Sequence, residues 1–497
     1  MELVNGIHFY VNIKNIIDII KQEETKDEDL KRTIHRLQTY FCGLTKLIGI
    51  YDGEIEKYTG GRAHVVFQIN EDSQEAEIRN VLRSIVACFI YNNDIFNCLS
   101  KYTQYNYPDF KVHAGMDFGK YTWFEIEDSI NGNELTTIGG VANNSAKIQS
   151  YAYSDYIYVM DKLYEKLTDE LKEKFVEISE TEKEKFSDKI KNSKIYKVNY
   201  NNLLSNEEME EIAEELDPVK KRVEEEANKL NISEITFSNS KTKIDFSKLS
   251  INNNKKIDGG VLCGDITGFT KLFNKSDNNL ADLSEVMEEI YKVMGDTISE
   301  EEGVKVQYQG DRIVAVFNDF GSADPYRIRM VRSALKLNER IQELNDIEDI
   351  SEKLKKNKVF IGIGCAAGNL IATRLGMNGN KDNIILSEAA QYADTCEEVY
   401  ASENKVVICK TLYDYISAEA DNSDSVEYAI LKEIFSAIKT TGYYSTTLTF
   451  TEYQEKVDKK KEEEKQKKAR DLFASAHISN GQGTSVNVQT RPWGYEI

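Results

Sequence analysis

The chain is written twice, and that repeat constrains the fold more than any other feature. HFYVNIKNII (8–17) lies beside VLCGDITGFT (261–270), TGGRAHVVF (59–67) beside QGDRIVAVF (309–317), and VHAGMDFGK (112–120) beside IGIGCAAGN (361–369). The blocks keep their order and similar spacings, which two copies of one unit explain better than chance. Each copy reads as an apolar strand, a helical stretch, a strand pair meeting at a glycine, then helix, strand and helix. That alternation predicts an α/β (α+β) unit, and 497 residues is long enough for two of them.

The copies are expected over 1–200 and 256–455. Residues 201–255 read as a charged helical linker, with NEEMEEIAEELDPVKKRVEEEANKL (206–230) helical and 238–260 polar and weakly patterned. Residues 456–497 read as a second charged helix, KVDKKKEEEKQKKARDLFASA, and a flexible Gly- and Ser-containing tail. A solvated face is the expectation for both charged helices. The 84 acidic against 63 basic residues, net −21, repel phosphate backbones and anionic lipid, which disfavours nucleic-acid and membrane partners. No apolar run is long enough to span a bilayer, and MELVNGIHFYVNIKN does not read as a signal peptide, so a cytoplasmic location is expected. Seven cysteines without a CxxC pair read as reduced, buried thiols.

In the second copy an apolar strand ends at Asp265 and Ile266, followed by a turn at Gly268 and by Phe269. Forty-six residues after Asp265, VQYQGDRIVAVF places Asp311 in a Gly-Asp turn between β-branched runs. An antiparallel hairpin brings two such carboxylates to one sheet edge, where they can hold two Mg²⁺ or Mn²⁺ ions on a triphosphate. Turn aspartates that only satisfy backbone N–H groups are the alternative for either motif alone. Both together, in this order, favour the metal site, with Asp265, Ile266 and Asp311 as its members.

The Asp265-Ile266-x-Gly268-Phe269-Thr270 block and the Gly310-Asp311 hairpin resemble the two metal motifs of class III adenylate and guanylate cyclases. The resemblance implies two tandem ferredoxin-like domains that pair head to tail as an intramolecular pseudo-dimer, and closure of a ribose 3′-hydroxyl onto the α-phosphate with release of pyrophosphate. In the first copy Asn12 and Gly61 stand at the two aspartate positions. That copy instead keeps Lys57, where adenylate cyclases carry the lysine that reads the base. It also keeps Asn143 and Lys147, which match the family's ribose-positioning asparagine and transition-state arginine. A lysine there retains the charge without the bidentate fork. In the second copy, Gln307, Ser387 and Gln391 are aligned with Lys57, Asn143 and Lys147. The losses are complementary, so the resemblance implies one composite site.

For the base, Thr136 and Lys57 argue for ATP. The compact two-domain chain without a sensor resembles instead the pyrimidine cyclases of bacterial antiphage (Pycsar) signalling, which make cyclic UMP or cyclic CMP for an effector protein. Tyr58 and Tyr308 either pack on a small ring or serve as core residues. A weakly active nucleotide-binding regulator is the other reading. A diguanylate cyclase is excluded by the lack of a Gly-Gly-acidic-acidic-Phe turn. Oligomeric state stays open between a monomer and a homodimer.

Overall fold

The computed structural model describes residues 2–479 apart from 24–25, 105–106, 127–133, 187–189, 270–271, 273–278, 378–379 and 440. Thr270 and the C-terminal tail from 480 lie outside the described residues.

The first sheet contains β1 (Val4–Ile13), β2 (Glu54–Thr59), β3 (Arg62–Gln68), β4 (Val112–Ile126), β5 (Glu134–Ile138), β6 (Tyr156–Met160), β7 (Val176–Glu177) and β8 (Ile195–Asn199), in the order β2-β3-β1-β4-β6-β8-β7, with β5 on β4. The second contains β9 (Phe237–Asn239), β10 (Asn254–Thr267), β11 (Val304–Gln309), β12 (Arg312–Asn318), β13 (Phe360–Met377), β14 (Asn380–Leu386), β15 (Lys405–Cys409), β16 (Ser436–Ala437) and β17 (Tyr443–Thr446), in the order β11-β12-β10-β13-β15-β17-β16, with β14 on β13 and β9 on β10. The two orders correspond strand for strand. β1 and β10 are central, each paired on both sides, and their middle residues are buried without alternation.

The longest strands, β4 and β13, run past their own sheets and fold back through β5 and β14 as hairpin arms. Each arm packs into the opposite core. Phe124, Ile126 and Ile138 join the second core, where the Phe124 ring lies 5.5 Å from that of Tyr291. Ile371, Leu375, Ile384 and Leu386 join the first. Gln38, on the helix Asp27–Ile50, exchanges two hydrogen bonds of 3.0 Å with the backbone of Gly376. Separated halves would expose these arms, so the chain holds together as one interlocked body.

The charged segments are not solvated all round. Ile212, Leu216, Val219, Val223 and Ala227, on the helices Asn206–Glu215 and Asp217–Lys229, lie in the first core. Ile244, Phe246 and Leu249 lie in the second. Their apolar spacing is sparse, and only the neighbouring surface shows that it is used. The helix Phe450–Ser479 docks through Tyr453 and Val457. All seven cysteines are free, and all but Cys98 are buried. No helix among the described residues is long and apolar enough to cross a membrane.

Candidate active site

β10 and β12 pair antiparallel with Asp265 opposite Arg312, and the Ile266 amide donates to the Asp311 carbonyl at 3.2 Å. The two aspartates thus meet at one end of the second sheet. The turn between β11 and β12 needs glycine at 310, because φ is +64° and an added Cβ would sit 3.3 Å from the Thr137 carbonyl of the other half. Asp311 follows directly and is only 2% exposed.

The first half supplies the facing wall. The helix Gly140–Tyr151 carries Asn143 and Lys147 one turn apart, and the Asn143 Nδ2 lies 3.4 Å from the Asp311 Oδ1. Asp265, Asn143, Lys147 and Lys57 line one cleft between the halves, together with Arg62 and Arg312, and it encloses about 60 Å³. Small-molecule sites usually enclose roughly 300–1,000 Å³. The cleft as it stands is smaller than that.

Lys57 and Thr136 close the far end. The Lys57 ammonium, 3% exposed, donates to Glu134 Oε1 at 3.1 Å and to the Tyr308 carbonyl. Burial pulls against that charge, but the carboxylates of Glu134, Glu56 and Asp382 outweigh it and hold the lysine above its ordinary value. The Thr136 hydroxyl donates to Glu56 Oε1 at 2.7 Å and accepts from the Gly310 amide at 3.0 Å. The edges are capped reciprocally, Tyr308 N donating to Glu134 at 2.9 Å and Tyr58 N to Asp382 at 2.8 Å. Tyr58 and Tyr308 are themselves core residues, stacked 4.1 Å from Phe41 and tilted 4.6 Å from Tyr291.

The mirror position is built otherwise. Asn12 Nδ2 at 3.0 Å and Gln149 Nε2 at 2.7 Å both donate to His113 Nε2, whose Nδ1–H donates to the Ala152 carbonyl at 2.9 Å. Burial keeps His113 neutral, its pKa lowered to about 4, and the Lys14 ammonium donates to the same Ala152 carbonyl at 2.7 Å, so this end carries no carboxylate in its network. The helix counterparts of Asn143 and Lys147 also differ from the sequence alignment. Gly139 and Ser387 are the caps of the helices Gly140–Tyr151 and Glu388–Thr395, which makes Gln391 and Thr395 the counterparts. The alignment had slipped by about one turn, a shift that leaves helical periodicity unchanged. Ser387 is a cap whose hydroxyl accepts from the Ala389 amide. Neither register gives the second half a cation.

Sequence reasoning passed over Glu56, His8, His64, Glu134 and Asp382. One signal was present: His8, His64 and His113, three of the five histidines, fall inside strands. Buried Asp117 on β4 accepts from Asn144 Nδ2 at 2.9 Å and from its neighbour Phe118 N at 2.8 Å, and burial raises its pKa to about 7. The folded state therefore binds its proton more tightly than the unfolded chain. Stability from this group is full below about pH 4 and is lost as pH rises through about 7. Thermal unfolding of Asp117→Asn should lose that pH dependence and show higher stability at pH 8, by on the order of a few kcal/mol. An unchanged profile would remove Asp117 as its source.

Residues 252–443 match the family model of the adenylate and guanylate cyclase catalytic domain. No curated protein matches the chain. Among solved structures, a class III adenylyl cyclase-like ATP-binding protein from Pseudomonas aeruginosa is similar over 92% of this chain and 90% of its own, with a TM-score of 0.68 and 20% identity. The adenylyl cyclase CyaB from P. aeruginosa covers 33% of this chain and 83% of its own (TM-score 0.30, 16% identity). The guanylyl cyclase domain of the RhoGC fusion protein from Blastocladiella emersonii covers 39% and 94% (TM-score 0.30, 16% identity). The chain has a class III cyclase-like fold with two corresponding sheets, and its second half carries the catalytic-domain pattern.

Proposed function

We propose that this protein is a nucleotide cyclase with a single composite site. It would convert a nucleoside triphosphate to a 3′,5′-cyclic nucleotide and pyrophosphate. The observation that carries the reading is the 3.4 Å approach of Asn143 to Asp311, a substrate-orienting amide of one half on a candidate metal carboxylate of the other.

The donor set fits a hard divalent cation. Among the described residues no cluster of three or more His, Cys, Asp or Glu side chains is arranged for a metal. Two carboxylates, Asp265 and Asp311, with the Ile266 backbone beside them, are what a Mg²⁺ or Mn²⁺ ion that also binds phosphate uses. When bound, two such ions would lower the pKa of the ribose 3′-hydroxyl and neutralise charge on the leaving pyrophosphate. The protein's own residues do the rest. Asn143 would orient the ribose. Lys147 would hold its ammonium over the α-phosphate as the 3′-oxygen bonds to phosphorus and the bond to pyrophosphate breaks. Lys57, with Thr136 beside it, would read the base after giving up the Tyr308 carbonyl.

For the base we favour a pyrimidine, with cyclic UMP or cyclic CMP as a messenger to an effector protein in antiphage defence. The support is architectural, a compact two-sheet chain that holds one composite site between its halves. Cyclic AMP is the alternative product. A weakly active nucleotide-binding regulator is a second reading. It is favoured by the closed cleft and by the similar P. aeruginosa protein, which is described as ATP-binding and cyclase-like.

Full-length protein incubated with each of the four NTPs and Mn²⁺, with products resolved by chromatography, separates these readings. One cyclic product with equimolar pyrophosphate is expected, and binding without any product would establish the regulator. Lys57→Gln, the residue the second half carries as Gln307, should change the ranking of the four NTPs more than the Mn²⁺ requirement. An unchanged ranking would take Lys57 out of the base pocket.

A further inference from the structure

We infer that Glu56 is a positioning residue that fixes the Gly310–Asp311 turn across the boundary between the halves. The inference rests on the reading of Asp311 as a metal carboxylate.

β2 bulges between Ile55 and Lys57, which turns the intervening Glu56 side chain inward until it is 1% exposed. A carboxylate buried that far persists only with a full set of donors. Glu56 has them: His64 Nδ1 at 2.6 Å, Thr136 Oγ1 at 2.7 Å, Thr137 Oγ1 at 2.6 Å and the Thr137 amide at 3.2 Å, with the Lys57 ammonium at 3.5 Å. His8 continues the chain behind His64, ring nitrogen to ring nitrogen at 2.9 Å. Burial alone would raise the Glu56 pKa, but His64, Lys57 and the hydrogen bonds of His64 and Thr137 hold it well below the usual carboxylate range.

The ionised carboxylate can only accept, so it fixes the Thr136 hydroxyl as a donor toward itself. The lone pairs of that oxygen are thereby left to accept from the Gly310 amide at 3.0 Å, one residue before Asp311.

The second half shows what the fold alone requires at these places. β11 has the same bulge between Lys305 and Gln307, and there the inward residue is Val306. By strand register, Val261, Val314, Ile384 and Ile385 stand where the first half has His8, His64, Thr136 and Thr137. Glu56, His8, His64, Thr136 and Thr137 each have an apolar counterpart in the same architecture, and Lys57 has the uncharged Gln307. The fold therefore does not need the polar set, and such apolar replacement is often neutral or stabilising. At the place of Gly310-Asp311 the first half has the turn Gly60-Gly61, which bears no carboxylate. The polar network exists only opposite the turn that carries Asp311.

Two full-length variants test this: Glu56→Gln, and His8→Val/Glu56→Val/His64→Val, which installs the second half's valines and leaves Thr136 in place. The triple variant should unfold at or above the wild-type temperature, whereas Glu56→Gln, which leaves buried His64 and Lys57 without this carboxylate, should unfold below it. Amide exchange at Gly310 should speed up by about tenfold or more. The Mn²⁺ dissociation constant, read from the EPR signal of free Mn²⁺, should rise about tenfold, and kcat should fall roughly 10–100-fold with little change in KM for the NTP. Glu56→Asp should recover part of each loss. A purely structural role would instead lower the unfolding temperature of the triple variant and leave kcat per folded molecule and Mn²⁺ affinity unchanged in both. That result, or wild-type exchange at Gly310 in both variants, would overturn the inference. If the wild-type protein itself neither binds Mn²⁺ nor turns over any NTP, the cyclase reading fails, and the exchange rate at Gly310 alone decides whether Glu56 holds the turn.

Discussion

Asp311→Ala is expected to abolish turnover, with a loss of at least about 10²–10³-fold, while the protein stays folded. The carboxylate sits 2% exposed in a turn whose backbone is pinned by the Thr136 hydroxyl and by the Tyr291 hydroxyl on the Gly310 carbonyl at 2.7 Å. Truncation to alanine leaves those backbone bonds in place and removes the carboxylate that Asn143 approaches at 3.4 Å. Asp265→Ala should act alike, since the two residues meet where β10 pairs with β12. Initial rates at saturating Mn²⁺, with circular dichroism to verify folding, give the measurement. Near-normal turnover in either variant would mean that its carboxylate holds no metal.

The second large effect concerns the division of labour between the halves. Lys147→Ala should cost about 10²–10³-fold in kcat although Lys147 belongs to the half that lacks both proposed metal carboxylates. Its ammonium is the cation that the second half, with Gln391 and Thr395 in the corresponding places, does not provide. Isolated halves are a poor vehicle for this test, because each would expose the hairpin arm it now buries in the other. Mixing two inactive full-length chains is better. Asp311→Ala and Lys147→Ala proteins should stay inactive together, because Lys147 and Asp265 of one chain line one cleft and Asn143, one turn from Lys147, approaches Asp311 of the same chain. Recovered activity on mixing would instead place the site between two copies of the chain.

Much of this was legible in the linear sequence. The three blocks, each written twice, set two corresponding sheets, because a strand-turn-strand block keeps its apolar period and its turn glycines wherever it is packed. The opposition of Asn12 to Asp265 and of Gly61 to Asp311 was legible for the same reason, since the flanking strands anchor the register on both sides. The register of the helix after β14 was not. A slip of one turn keeps the same face toward the sheet, and only the cap at Ser387 resolves it.

What the sequence determined, then, is which residue types lie at the strand ends and turns, because those positions follow from local period and turn chemistry. Which half meets which was decided by tertiary structure alone. Asn143 and Asp311 are 168 residues apart and approach only because β4 and β13 overrun their sheets and bury their arms in opposite cores. The ionised, buried Glu56 belongs to the same category. In the sequence EIEKYT it reads as one more surface carboxylate. A β-bulge and four donors from β3 and β5 turn it into a buried one, and such long-range pairings leave no periodic trace in the chain.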